Sequence, residues 1–588
     1  MNPYLLYEFT DGKKNNQPLL FTNPINILQA DQLDEIPVIF EKVENALKAG
    51  YHVAGYISYE AAPAFDQHLS VQSAHKLPLL WLGVFEAPQQ TKTENEDGNF
   101  SLSEWKMDGS IQQYKNGIQQ IRQAIEDGNT YQVNYTARLC ADFEGDDQAF
   151  YRQLTRNQQS NYSAYLNIGK YRILSASPEL FFRVKQNNIQ TKPMKGTAAR
   201  GRTTAEDNVQ KEYLRHSIKE QSENLMIVDL LRNDIGRIAK PGTVTVPKLF
   251  ELETYPTVHQ MTSTVEAELE DSISVFDWFR ALFPCGSITG APKRSTMDYI
   301  SELEDSPREV YCGAIGYITP EREAVFNVPI RTVVIDTEER VATYGVGGGV
   351  TWDSTAEGEY QELLTKARLL TERRPAFKLL ESLKLEDGIY PLLSLHLERL
   401  ADSADYFGFR LEFVKIEKKL EKYAQANPTG NYKVRLLSAD DGSIVLEGKE
   451  VKHLSGPVRC AIARKPVDQH DPFLFHKTTH RENYEKHLSG LTPDIFSVLL
   501  WNEKYELTEF TIGNIVVEMQ GRLYTPPLSS GLLAGTFRRQ LLEKNEIKEK
   551  ILYLHEIPQF DHVWLINGVR GWVEVNLEQP RTSITGTG

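Results

Sequence analysis

The sequence predicts an α+β protein built as two domains in series, and three observations carry that reading. The chain has 588 residues, more than one hydrophobic core organises. Amphipathic helical runs and apolar strand-like runs occur in both halves. A charged helical run, GEYQELLTKARLLTERR (358–374), stops at Pro375, and a new pattern starts beyond it. The junction is placed near 372–377, giving domains at 1–372 and 377–588.

Composition narrows the class. Apolar residues make up 40% and charged residues 25%, ordinary values for a soluble globular protein. The net charge of −15 argues against nucleic acid as a partner, since a basic face is needed to displace counterions. It leaves room for an anionic small substrate held by locally gathered cations, backbone N–H groups or a metal. Cys140, Cys285, Cys312 and Cys460 are widely spaced, with no CxxC pair, which argues against a zinc knuckle or a disulfide framework. The start, MNPYLLYEFTDGKKNN, lacks the basic and apolar regions of a signal peptide, and no run is long enough to span a bilayer. A cytoplasmic protein without membrane contact is expected.

The elements follow in order. The polar stretch TKTENEDGNFSLSEW (91–105) reads as a loop or excursion. SASPELFFRV (175–184) sets Glu179 just before an apolar strand, and KPMKGTAARGR (192–202) carries Lys195. VQKEYLRHSIKEQSENLMIVDLLRNDIGRI (209–238) has long helical periodicity, with Thr203 and Glu206 as a capping box upstream. PCGSITGAPKRS (284–295) is a small-residue loop suited to offering N–H groups to an anion. TYGVGGGV (343–350) breaks the GxGxxG spacing, and neither GxxxxGK[ST] nor HExxH occurs. DSTAEGEYQELLTKA (353–367) is a helix with Ser354 and Glu357 as its capping box.

Two acidic pairs stand out. Glu220 and Glu223 share a helix face, as do Glu359, Glu362 and Lys366. The plain reading of each pair is an exposed acidic face. The sharper one brings both faces around a divalent cation that takes carboxylate oxygens and completes its shell with water and substrate.

These segments, with GNTYQVNYTARL (128–139), TYPTVHQM, YCGAIGYI and NVPIRTVV in the same order, resemble the chorismate-utilising family of anthranilate, aminodeoxychorismate, isochorismate and salicylate synthases. The resemblance implies two large antiparallel sheets packed together and flanked by helices. It implies Mg²⁺ on Glu220, Glu223, Glu359 and Glu362. Gln132 stands where water-adding members carry a lysine base, and an amide cannot deprotonate water. Lys195 stands where anthranilate synthases have a small residue, which is the mark of the aminodeoxychorismate branch. By the same resemblance Lys195 attacks ring C2, Glu179 is the general acid for the C4 hydroxyl, and ammonia enters at C4. Gln132, Thr197, His259, Thr289, Gly290, Tyr311, Arg331, Gly347 and Lys366 would line the substrate pocket, with Arg331 as a carboxylate clamp. Glu179 needs an apolar pocket to stay protonated, and Phe181–Phe182 is a candidate for it. None of the four cysteine contexts resembles a glutaminase nucleophile, so a separate glutamine amidotransferase subunit is implied as the ammonia source.

The second part opens with strand-like FKLLESLKL, a turn at Glu386-Asp387-Gly388, and a helix bearing Leu393, His396, Leu397 and Leu400. HLERL, FHKTTHRENY, LTEFTIGNIVVE and SSGLLAGTFRR follow in an order that resembles the fold-type-IV pyridoxal phosphate (PLP) enzymes, a two-lobed fold that includes branched-chain and D-amino-acid aminotransferases and 4-amino-4-deoxychorismate lyases. By that resemblance Lys477 carries PLP and moves the proton, Glu509 pairs with the pyridine nitrogen, and Arg399, Ile512, Gly513 and Thr536 hold the phosphate. The resemblance allows a homodimer of this domain. Lyase and aminotransferase share these motifs, and the neighbouring domain favours the lyase. The expected activity is 4-aminobenzoate formation from chorismate. The rival is an anthranilate synthase fused to an aminotransferase.

Overall fold

The computed structural model describes residues 2–10, 18–91, 98–452, 454 and 456–578. The chain divides into two compact units, one of Met1–Ala199 with Lys211–Arg374, the other of Arg200–Gln210 with Pro375–Gly588.

The first unit is built on two large sheets, one of 11 and one of 10 strands among the described residues, in which every strand pairing is antiparallel. At one end of the first sheet the strands Gln132–Gly145 and Val341–Val350 lie side by side, in register from Asp142–Val341 to Val133–Val350. The second sheet ends on Met194–Ala199, paired with Val258–Glu268. The sheets meet face to face. Tyr7 of one and Tyr317 of the other stand 5.5 Å apart between ring centroids, within a buried aromatic layer that includes Phe9, Phe21 and Phe85. Strand alternation turns Leu5 and Tyr7 into this layer and Leu6 into the other core cluster, where the helices pack.

Four local expectations are corrected. The helical run 209–238 is two helices, Thr204–His216 and Ile218–Gly236, broken at Ser217, whose hydroxyl accepts the N–H of Glu220 at 3.4 Å and starts the second helix. The helix Ala356–Ala367 is capped by Thr355, which accepts from Gly358 N at 3.1 Å, and not by Ser354. Of 91–105, residues 92–97 lie outside the described residues, and Phe100–Leu102 is a short strand paired with 143–145. The proposed box at Thr203 is half formed: its hydroxyl accepts from Glu206 N, while the Glu206 carboxylate accepts from Arg202 N.

The second unit has two sheets. A three-stranded antiparallel sheet (Leu379–Glu386, Asn431–Ser438, Ile444–Glu450) carries helices Leu393–Phe407 and Phe413–Ala426, which share its apolar cluster. The turn after its first strand holds Asp387 at φ 47° and Gly388 at φ 78°, the left-handed region a tight reversal requires. The other sheet has eight strands, mixed in direction. An extra pairing between Leu507–Phe510 and Gly513–Met519 closes six of them into a ring around Leu499, Phe510, Val517 and Leu565. No helix among the described residues is long and apolar enough to cross a membrane.

Candidate active sites

A cavity of about 790 Å³ opens in the first unit. Segments far apart in the chain supply its reactive groups. Lys195 comes from the strand Met194–Ala199, Glu179 from the residue before Leu180–Lys185, Glu220 and Glu223 from the helix Ile218–Gly236, and Glu359, Glu362 and Lys366 from the helix Ala356–Ala367. The glycine-rich strand Val341–Val350 runs beneath them. A methyl group on Gly349 would stand 2.2 Å from Gln132 Nε2 and 3.0 Å from Lys195 Nζ. One on Gly345 would stand 2.3 Å from the Tyr311 ring. These glycines are space for other side chains, not a phosphate loop.

Lys195 makes no side-chain hydrogen bond or ion pair within the described residues. Burial lowers its ammonium pKa below the ordinary lysine range, and Lys366 adds to this, against the pull of Glu223, Glu179 and Glu362. An amine in this setting is closer to its neutral, nucleophilic form. Glu179 is only 3 % exposed, and burial pushes its carboxyl up to about 7 despite a hydrogen bond from Ser287 and the nearby Lys195. Phe181 and Phe182, fully buried on the next strand, join a phenylalanine cluster with Phe279, Phe283 and Phe326. A buried acid and a lowered amine thus line one cavity.

The four glutamates line it too. Burial raises Glu223 and Glu359, and their acidic neighbours Glu220 and Glu362 raise them further. Burial also acts on Glu362, but Lys366, 2.6 Å from its Oε1, outweighs it and lowers its pKa. Ser354, the residue displaced from the cap, donates instead to Glu359 Oε1 at 2.6 Å. Among the described residues no three acidic, imidazole or thiol groups converge into a metal cage. The carboxylates still fit a hard divalent cation such as Mg²⁺, which takes one or two of them and completes its octahedron with water and substrate oxygens.

Of the predicted substrate residues, Gln132, Thr197, Tyr311, Arg331, Gly347 and Lys366 line the cavity; His259, Thr289 and Gly290 do not. His259 is fully buried, with Nδ1 3.1 Å from Thr254 Oγ1. The Thr289 hydroxyl donates within its own loop, to Cys285 O at 3.2 Å and Gly286 O at 3.3 Å. Gly290, at φ 133°, pairs with Val133, and a methyl there would meet Gln132 O at 2.0 Å. These three shape the wall from behind. Arg331 is partly engaged, its Nη1 donating to Lys366 O at 2.8 Å. Gln132 is 2 % exposed, and its Oε1 accepts no hydrogen bond from the protein.

Sequence reasoning missed what stands behind the wall. Glu304 is buried between Arg138 and Arg308, at 2.8 Å and 2.6 Å. Arg308 donates to the carbonyls of Ile288 (2.8 Å) and Asn134 (2.6 Å), both cavity residues. An Arg–Glu–Arg triad is costly to bury and strongly destabilising to break. Glu304 and Arg308 at i, i+4 give only a weak hint of it in sequence.

In the second unit, Lys477 O accepts from Leu380 N at 3.0 Å, which fixes the lysine at the edge of the small sheet. Burial lowers its amine to about 7, aided by Arg399 and Arg481 and opposed by Glu381 and Glu509. Glu509, 3 % exposed, is pushed up to about 7 by burial. Tyr484 Oη donates to its Oε1 at 2.8 Å and Asn514 Nδ2 to its Oε2 at 3.2 Å. Thr536 opens the helix Thr536–Glu543, and a methyl on Gly535 before it would strike Asn514 Oδ1 at 1.9 Å. Arg399 is committed to the buried Glu381 through Nε (2.9 Å) and Nη2 (2.6 Å), while Nη1 donates to Ala534 O at 3.1 Å. His396 completes the group, with Nδ1 2.7 Å from Glu381 and Nε2 3.3 Å from Thr536 Oγ1. Burial would raise Glu381, but Arg399 and His396 outweigh it and hold its carboxyl far below the usual range. Ile512 is 44% exposed, and Gly513 is half-buried at the start of its strand. Glu381 and Tyr484 were not singled out in the sequence, because no spacing marks partners brought together by packing a helix against a strand; Asn514, noted only as part of the turn after Glu509, reaches it through the pairing of their strands.

This fold and this cavity define a chorismate binding enzyme: residues 3–372 match that family, and the chain belongs to it. Residues 378–577 match amino-transferase class IV. The chain is 41% identical over 287 residues to aminodeoxychorismate synthase component 1 of Salmonella typhimurium, an alignment that covers 49% of this chain and 61% of that protein. It thus spans about three-fifths of that relative's length. It is 32% identical over 406 residues to anthranilate synthase component 1 of Lactococcus lactis, covering 63% of this chain and 89% of that protein. Among solved structures, anthranilate synthase component I from Streptococcus pneumoniae matches with a TM-score of 0.52 at 25% identity, over 63% of this chain and 90% of that one. The menaquinone-specific isochorismate synthase of Escherichia coli, at 18% identity and a TM-score of 0.51, has the same fold.

Proposed function

We propose that the chain makes 4-aminobenzoate from chorismate, residues 1–372 aminating the ring and residues 377–588 releasing pyruvate from the product. One observation carries the first step: Lys195, with its pKa lowered, and Glu179, held up at about 7, line the same cavity. The Lys195 amine adds at ring C2, both conjugated ring double bonds shift, and the C4–O bond breaks. Glu179 gives its proton to the departing oxygen, so water leaves. Ammonia then adds at C4, both double bonds shift back, and the C2–N bond to Lys195 breaks. Gln132, an amide with a vacant acceptor, cannot serve as the base that water addition requires. Arg331 and Lys366 supply positive charge to the substrate carboxylates. Glu220, Glu223, Glu359 and Glu362 would hold Mg²⁺, which supplies charge opposite the ring carboxylate when bound.

The residues of the second unit fit PLP. The N-terminus of the helix Thr536–Glu543 suits a phosphate, and the buried Glu509 suits a pyridine nitrogen; the bare Gly535 before the helix leaves room for Asn514, which holds Glu509. Arg399, Ile512, Gly513 and Thr536 would surround the phosphate, Arg399 oriented by Glu381. When bound, PLP supplies an electron sink. Lys477, with its amine near 7, moves the proton at ring C4. Tyr484 and Asn514 hold Glu509 in place, and aromatisation drives pyruvate loss.

Ammonia would come from a separate glutaminase subunit. Burial pushes the Cys285, Cys312 and Cys460 thiols up to about 12 and raises Cys140 as well, the opposite of an activated nucleophile. All four are free thiols, which supports a reducing, cytoplasmic setting. The reading is tested by incubating the protein with chorismate, Mg²⁺, ammonium and PLP and identifying the products. We expect 4-aminobenzoate and pyruvate; anthranilate, or no aminated product, overturns it.

A milder test targets the glycine floor. Gly349→Ala should lower amination at least roughly tenfold, because displacing a reacting group by about 1 Å costs that much or more. Steady-state rates on a variant with an unchanged circular dichroism spectrum measure this.

A further inference from the structure

Ser287 sits in the loop after the helix Val275–Leu282, 6 % exposed, and lines the cavity. Its Oγ lies 2.5 Å from Glu179 Oε1. On its other side Cys285 Sγ lies 3.2 Å from the same Oγ. The loop is anchored from behind, since Arg308, paired with Glu304, donates to Ile288 O at 2.8 Å.

We infer that Ser287, with Cys285 behind it, is a positioning residue that decides which oxygen of Glu179 carries the proton given to the leaving group. A serine hydroxyl has one proton and can rotate it. Here both neighbours constrain the rotation. Before the proton arrives, the ionised carboxylate can only accept. With the serine proton directed at Glu179, the buried Cys285 thiol is left as the donor to Oγ. The serine proton therefore points at Oε1, and a proton arriving on Glu179 settles on Oε2. After transfer, the resulting carboxylate is met by a hydroxyl already oriented toward it. No rotor has to turn during the step, which is preorganisation in the usual sense. The other groups facing this carboxyl are Lys195 and the Met194 backbone from one strand, and Tyr255 from the turn between Thr245–Thr254 and Val258–Glu268. Burial raises the Tyr255 phenol far above neutrality, so it stays uncharged.

The inference rests on Glu179 being the acid in chorismate amination, and the test separates the two. kcat/KM for ammonium-dependent amination is measured against pH, with Mg²⁺, for wild type, Ser287→Ala, Ser287→Thr and Cys285→Ala. A general acid must be protonated, so the rate falls as pH rises through its pKa. The Ser287 hydrogen bond favours the carboxylate, so its loss raises that pKa. The alkaline limb of Ser287→Ala should move up by about one pH unit. Its plateau kcat should drop roughly tenfold or more at unchanged KM, the signature of an interaction made in the transition state. Ser287→Thr should restore both. Cys285→Ala should lower the plateau and leave the limb in place, since the serine still donates. Wild-type amination with an unmoved limb in Ser287→Ala overturns this inference alone, as does a change in KM without kcat. A wild-type protein that does not aminate chorismate overturns the assignment of Glu179 with it.

Discussion

Replacing Lys195 by alanine should cut aminodeoxychorismate formation by roughly a thousandfold or more, the scale of losing a group on which a covalent step depends. Binding of chorismate in Mg²⁺ should persist, because Arg331, Lys366 and the four glutamates are untouched. Lys195→Arg should not rescue, since a guanidinium stays charged and cannot attack carbon. The two readouts are single-turnover amination with saturating ammonium and equilibrium binding of chorismate. Lys195→Ala activity within about tenfold of wild type would remove the amine from the chemistry. The lowered lysine pKa bears on the same point: a fully solvated lysine at neutral pH is almost wholly protonated, and burial beside Lys366 shifts that balance.

The second large effect falls in the other unit. Lys477→Ala should abolish pyruvate and 4-aminobenzoate release while amination continues, so that the aminated intermediate accumulates. The same variant should lack the absorbance at about 410–420 nm expected of a lysine-bound PLP. Purified protein, a spectrum taken before and after borohydride, and product chromatography suffice. Normal 4-aminobenzoate output from Lys477→Ala would sink the assignment. The separation of the two phenotypes follows from Lys195 and Lys477 lying in different units, each with its own acid partner.

Much of this was legible in the residues. The carboxylate pairs were readable because helical spacing alone puts Glu220 with Glu223, and Glu359 with Glu362, on common faces. Lys195, Glu179, Lys477 and Glu509 were singled out because each sits in a run whose ordered neighbours resemble a known family. The break at Ser217 was not, since a serine inside a periodic run reads as a tolerated polar residue until its hydroxyl is seen to cap. Ser354 was misassigned by one residue for a related reason: Thr355 competes for the same cap, and only the fold shows that Ser354 turns to Glu359.

Sequence by itself marked a junction near 372–377 and placed the acidic pairs on common helix faces, because these depend on local periodicity; the order of its motifs carried the family resemblance from which the roles of the lysines and acids are proposed. Tertiary structure alone decided which pocket residues face inward, that His259, Thr289 and Gly290 stay behind the wall, and that Ser287, Glu304, Glu381 and Tyr484 serve the charged groups. Apart from Arg308, four positions from Glu304, the groups they serve lie 15 or more positions away. Hydrogen bonding across sheets and loops follows distance in space, which no pattern along the chain encodes.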